Sequence, residues 1–432
     1  MAIKAGSILT DVNGFVVDRI QSGGPGSLNI PQEKIYELGN WKSVAIVRDI
    51  PDLSFDLESF DVSAEFEALL VGKKGAAAAG SAASGDQLDG RVGYNEVDLE
   101  NHIPIDVISP FKSRRNHFDI VKGVAIPYLT LERATYRYGV GQNATQQFSL
   151  RGDSIYYTPG QPYYEELSYT GAGTYSFDTG SAIEYLERNV SIYALCLSVV
   201  TDDGSYRRLF APSDFTSTAS GFTITSAGAA KVAALTGTTK TLRVAYGSTV
   251  TGSYTQTGNN PSGNKIHQGT SVKPAAVRAR DIDVYIGSTD ATPVWKRFTG
   301  VQSAEVNWSV QLDNDQEFGN RHYVLRDYMV PDVAGTIGLK PFDTADMWEK
   351  LADITGVDTN QVIGADSVTP IPVEIRISHP DDGTVLKTIY VPDARFQVPG
   401  YSGRIQTKLE TQLSFTSDQG SMYVYNGRRV AA

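Results

Sequence analysis

Along residues 303–315, SAEVNWSVQLDND, apolar and polar side chains alternate. Ala304, Val306, Trp308, Val310 and Leu312 share one face, and Ser303, Glu305, Asn307, Ser309, Gln311 and Asp313 share the other. Successive side chains of a strand point to opposite sides, so the segment predicts a strand with one face on a core and one in water. Residues 404–417, RIQTKLETQLSFTS, repeat the pattern, with Ile405, Thr407, Leu409, Thr411, Leu413 and Phe415 set against Arg404, Gln406, Lys408, Glu410, Gln412 and Ser414. At about 3.3 Å per residue each strand would exceed ~35 Å, longer than the common strand.

Two segments have helical spacing instead, VSAEFEALLVG at 62–72 and TADMWEKLADITG at 344–356. They hold corresponding places in a longer repetition. Residues 20–61 carry IQS, ELGN and VRDIPDLSFDLESFD, and residues 301–343 carry VQS, EFGN and LRDYMVPDVAGTIGLKPFD in the same order. After the helical segments, IPIDVISP (103–110) is answered by IPVEIRISHP (371–380), AIPYLTLE (125–132) by YVPDARFQ (390–397), and TQQFSL (145–150) by TQLSF (411–415). Ordered matches at similar spacing predict a duplicated unit of roughly 150 residues, one copy at each end of the chain. The predicted divisions are 1–160 for the first copy, 161–276 for an insert and 277–432 for the second copy.

The insert is dense in Gly, Ser and Thr, with short apolar runs such as SIYALCLSVV (191–200) and TKTLRVAYG (239–247). Runs of this kind between turn clusters predict a small β-sandwich, and Asp202-Asp203-Gly204 predicts a hairpin turn. The stretch KKGAAAAGSAASGDQLDG (73–90) has no equal in the second copy and predicts a flexible loop. Composition agrees with a folded, mainly β protein: 41% of the 432 residues are hydrophobic and 20% charged, with 23 Tyr and 16 Phe.

Charge and cysteine content narrow the function. A net charge of −11 with both signs interspersed leaves no broad cationic face for nucleic-acid phosphates. The single cysteine, Cys196, excludes an internal disulfide and a cysteine-rich zinc site, and its apolar surroundings predict a buried small hydrophobe. No run approaches ~18 apolar residues, and the first residues lack the apolar stretch of an export leader, so the chain is expected to be made and folded in a cytoplasm. His102, His117, His267, His322 and His379 never stand at ligand spacing, and no nucleophile elbow occurs, so neither a metal, a cofactor nor an enzymatic activity is expected. GVGQNA (139–144) has the loose form of a dinucleotide loop but lies in an alternating region, which predicts a turn. Arg151-Gly152-Asp153 likewise predicts a turn after a strand. The acidic run NDQE (314–317) lacks the ligand series of a calcium loop.

The series IDVYIGSTDATPVWKRFTGVQSAEVNWSVQLDNDQEFGN (282–320), the PFD leading into one helix, and the closing alternating strands resemble the major tail (tail tube) proteins of tailed bacteriophages. The resemblance covers both end copies and leaves out the insert. It implies two tandem tail-tube-like β-sandwich or barrel domains, each with a flanking helix, plus the inserted β-sandwich. In that family six domains close a ring whose inner strands form one barrel, and stacked rings conduct DNA. Two domains per chain then imply a trimeric, pseudo-hexameric ring, with a hexamer of chains as the alternative. Expected partners are the chain itself, in ring closure and stacking, and other tail proteins such as the tape measure, terminator and baseplate or tip. DNA would pass through the lumen without specific binding, with no membrane involved, in a virion assembled in the host cytoplasm. Candidate lumen-facing residues are Glu305, Asn307, Gln311, Asp313, Gln406, Glu410 and Gln412, with Gln142, Asn143, Thr145 and Gln147 in the first copy; the other possibility is that these form an outer solvated face. The insert is expected to point outward, since inside the lumen it would block passage. The Thr/Gly-rich insert also fits a surface or secreted β-sandwich adhesin, which the lack of an export leader disfavours.

Overall fold

The computed structural model describes residues 10–17, 20–38, 41–60, 64–70, 96–112, 120–178, 180–187, 190–248, 277–287, 295–317, 320–340, 370–380, 383–397, 400–402 and 410–429. The fold is mainly β. Eight antiparallel strands follow one another across a continuous sheet: β1 (Ile20–Asn29), β2 (Asp52–Ser59), β3 (Ile120–Gly139), β4 (Thr145–Gly152), β5 (Val301–Ser309), β6 (Asp332–Leu339), β7 (Val385–Phe396) and β8 (Glu410–Ser417). Their order in space is β1-β2-β4-β3-β5-β6-β8-β7. Each end of the chain thus supplies four neighbouring strands in the same arrangement, and β3–β5 is the joint between them.

A second layer lies behind this sheet. Ile105–Lys112 pairs with the first half of β3, and Ile371–Ser378 pairs with the first half of β7. Tyr156–Thr158 flanks β3 as Tyr423–Asn426 flanks β7. Tyr423–Asn426 also pairs with Glu96–Asp98, so the two ends meet in both layers. Strand β3 serves both layers because it bends after Pro127, where Tyr128 adopts φ +60. That conformation is uncommon for a bulky residue and is held by surrounding contacts: the Tyr128 N–H donates to Asp106 Oδ1 (2.8 Å) and its hydroxyl to the Val324 carbonyl (3.2 Å).

Alternation places the core. Leu53, Phe55 and Leu57 of β2, Phe148 and Leu150 of β4, Val306 and Trp308 of β5, Ile337 of β6 and Leu413 and Phe415 of β8 are all buried in one cluster that spans both ends of the chain. Sharing one core lets two small sheets bury more apolar surface than either could alone. Large side chains change strand between the ends. Phe55 lies opposite Leu150, whereas Gly335 lies opposite Phe415, and a Cβ on Gly335 would come within 2.2 Å of Phe415 Cζ.

Residues 161–248 build a separate sandwich, and 249–276 of the expected insert lie outside the described residues. Gln161–Ser168, Lys240–Ser248, Ala194–Thr201 and Tyr206–Leu209 form a four-stranded sheet, and a three-stranded sheet and helix α2 (Ser226–Ala233) close its other side. Its own core includes Tyr163, Phe177, Val199, Phe222, Leu242 and Tyr246. Asp202-Asp203-Gly204 forms the expected turn, with Gly204 at φ +86, and Cys196 is buried.

Two expectations change. The alternation over 303–315 is not one long strand: β5 ends at Ser309, and Leu312–Asp315 starts a separate hairpin with Leu325–Tyr328. Arg151 and Gly152 still belong to β4, and Asp153 after them is a buried anion. No closed barrel occurs among the described residues; within the eight-strand series the outermost strands are β1 and β7. Helix α1 (Glu65–Leu70) forms inside 62–72, while the segments 73–90 and 344–356 lie outside the described residues.

Candidate assembly surface

The joint between β3 and β5 is an ordinary antiparallel ladder running from Ser303 opposite Gly139 to Ser309 opposite Arg133. Val310 extends it by donating to the Glu132 carbonyl (2.9 Å). On its polar face Thr135 donates to Asn307 Oδ1 (2.8 Å), and Arg137 meets Glu305 at 3.1 Å. Ser149 donates to Asp56 (2.7 Å) on the same face. Asp56, Glu58, Glu305 and Asp332 are interspersed there with Arg133 and Arg137, all exposed or half-exposed.

Five candidate residues, Glu305, Asn307, Thr145, Gln147 and Gln412, lie on this face. Glu410 is the first residue of β8, and Gln406 lies outside the described residues. The other four leave the sheet. Gln311 and Asp313 belong to the separate hairpin, because the chain departs after Val310. Gln142 and Asn143 sit in the β3–β4 turn around Gly141 (φ +81), where Asn143 bridges to Arg278.

The inserted sandwich packs on the opposite side. In the second layer Ile105, Val107, Val124 and Ile126 face the shared core, whereas Ile108 and Ala125 face out and pack with Tyr164 and Leu195 of the insert. Arg243 donates to the Pro104 carbonyl at 3.0 Å. Arg208 grips Asp153 with two contacts of 2.9 Å. Burial alone would raise the Asp153 carboxyl, but Arg208, with His322 behind it, holds it far below the usual carboxylate range.

Each end of the chain carries a two-stranded arm between its first two sheet strands. The first joins Gln32–Ile35 to Ala45–Arg48, and the second joins Leu312–Asp315 to Leu325–Tyr328. Their registers coincide at numbers 280 apart, with Gln32 opposite Arg48 and Leu312 opposite Tyr328. The second arm is seated on the first end of the chain. Arg326, 1% exposed, donates to the carbonyls of Arg151 (2.7 Å) and Tyr128 (3.2 Å). The Tyr323 N–H donates to Asp153 (3.0 Å), the Tyr328 hydroxyl to the His102 carbonyl (2.5 Å), and Tyr206 of the insert to the Arg326 carbonyl (2.6 Å). Among the described residues the first arm shows no such seat: Ile35, Tyr36, Leu38, Trp41, Ile46 and Val47 are exposed, Trp41 to 98%. Sequence reasoning missed the second arm because its alternation continues that of the sheet, and the first because QEKI (32–35) has no alternation at all.

A buried polar cluster also crosses between the ends. Lys387 of β7 donates to Glu67 of α1 and, at 2.8 Å, to Gln146 of β4, while the Tyr136 hydroxyl donates to Glu67 at 2.8 Å. Both charged side chains are fully buried.

No group of three or more His, Cys, Asp or Glu among the described residues is placed to hold a metal ion, and no helix there is long and apolar enough to cross a membrane. No family model matches the chain, and no curated protein matches it. Among solved structures, 36% of the chain overlays 98% of a chain from the cryo-EM structure of the anti-feeding prophage baseplate, at 11% identity and a TM-score of 0.25. In a second comparison, 35% of the chain overlays 98% of a chain from the virion of a native gene transfer agent particle, at 11% identity and a TM-score of 0.22.

Proposed function

We propose that this chain is the structural subunit of a bacteriophage tail tube, a ring-forming protein without enzymatic activity. The observation that carries the proposal is the β3–β5 joint. One four-strand unit adds its first strand to the third strand of the unit before it, and the same rule leaves β1 and β7 as the matching pair of margins on the whole chain. A contact between unlike surfaces that repeats by rotation makes a ring when the rotation closes on itself and an open filament when it does not. If six units close it, three chains make a pseudo-hexameric ring of about 24 inner strands, wide enough for an open channel; six chains are the alternative. The tail-tube resemblance of residues 282–320 supplies the identity of the ring.

In this arrangement the polar sheet face lines the lumen. Its mixed and not predominantly basic charge suits passage of DNA, because a basic wall would hold phosphates through counterion release. The insert, packed behind the second layer, decorates the outside. Partners would be the tape measure, terminator and baseplate or tip proteins, within a virion assembled in the host cytoplasm. Negative-stain microscopy and native mass spectrometry of the purified chain test the proposal. Rings or stacked tubes with a mass of three chains are the expected outcome. Single elongated molecules at high concentration would refute it and favour an adhesin.

A further inference from the structure

We infer that the exposed first arm docks on a second copy of this chain, beside Asp393 of that copy's β7, in the way the second arm docks within the chain. The inference rests on the head-to-tail rule above but not on the tube. The template is internal. Three of the anchors that seat the second arm lie on β3 and β4 or directly after them: the Tyr128 carbonyl, the Arg151 carbonyl and the Asp153 carboxylate. The second end repeats this ground at numbers 265 apart, since Leu131 opposite Leu150 corresponds to Phe396 opposite Phe415. Tyr128, Arg151 and Asp153 therefore have counterparts in Asp393, Thr416 and Asp418. Asp418 is exposed, its carboxylate held on one side by a two-pronged contact from half-exposed Arg395 (2.9 and 2.6 Å), and Gln397 and Gln419 beside it are exposed too. Among the described residues, a seat without an arm at one end of the chain thus matches an arm without a seat at the other.

The template fixes the contacts. Ser43 stands where Tyr323 stands, so its N–H meets Asp418 of the second copy. Lys42 replaces His322, which lies 3.5 Å from Asp153, and brings a fixed cation to the same carboxylate. Ile46 replaces Arg326, so the joint between chains is more apolar than the joint within one. Large exposed apolar patches on soluble proteins mark interaction sites, and aromatic side chains such as Trp41 carry a large share of such binding.

The test is a Ser43→Cys/Asp418→Cys chain, in which Cys196 stays buried, oxidised mildly and run without reductant. A ladder of covalent dimers and larger species is expected, absent from either single variant. A second chain, Ile46→Asp with Trp41→Ala, should melt like the parent but lose assembly about tenfold or more by light scattering. A ladder without rings would leave the inference standing and remove the tube. Rings without a ladder, or full assembly of the Ile46→Asp/Trp41→Ala chain, would overturn the inference and leave the tube. No ladder from the double-cysteine chain together with no rings from the parent overturns both.

Discussion

Lys387→Met isolates the buried pair that ties the two ends together. In the parent chain the Lys387 ammonium and the Glu67 carboxylate are both at 0% exposure, with Gln146 and Tyr136 completing the cluster. Removing the cation leaves the carboxylate buried with one tyrosine hydroxyl for company. Breaking a buried pair from one side costs about 3–5 kcal/mol. Removing both charges is another matter, because the desolvation of each ion is then relieved; Glu67→Gln/Lys387→Met should fall within about 1 kcal/mol of the parent or exceed it. Methionine fills the space of the lysine stem, so the comparison is not confounded by a cavity. The measurement is a double-mutant cycle from urea denaturation at pH 7, followed by tryptophan fluorescence. A single variant as stable as the parent, or a double variant less stable than Lys387→Met, would refute the reasoning.

Three further outcomes are expected. Burial lowers His102 from 6.5 to about 4, so the folded chain keeps the ring neutral while the unfolded chain takes up a proton as pH falls below 6.5; stability is complete above that pH and drops by about 3 kcal/mol as pH falls towards 4, a loss that urea midpoints should show to be absent in His102→Phe. Gly335→Ala should cost about 1–3 kcal/mol through its clash with Phe415 and the Glu305 carbonyl, and adding Phe415→Leu should recover part of the loss in a thermal melt. Glu305→Ala should change monomer stability by less than about 1 kcal/mol, since its pair with Arg137 is 42% and 59% exposed; a larger loss would mean that the sheet face is less open than described.

The period of two made the sheet legible. Once Val306 and Trp308 were assigned to one face, the buried side of β5 followed, and Leu413 and Phe415 did the same for β8. The repeat was legible as matching words, but register shows its limits. Ile105 lies opposite Leu129 and Ile371 opposite Ala394, so the strands correspond with Ile105 to Ile371 rather than with Ile103, as the IP words suggest. A slip of two returns every side chain to the same face, which is why alternation cannot detect it. The same blindness hid the end of β5. Leu312 keeps the beat by packing against the shared core from the arm, so nothing in the pattern marks the departure after Val310. Asp153 was missed for a different reason: its partners Arg208 and Tyr323 are remote in sequence, and a charged residue after a strand gives no local sign that it is buried.

Because β3 and β5 meet inside a single core, that seam forms as the chain folds and does not depend on concentration. Seams between separate molecules do depend on it. Dilution should therefore release whole chains and never half-chains, so the smallest building block is already a matched pair. Half the closures of any larger assembly would then be made at synthesis.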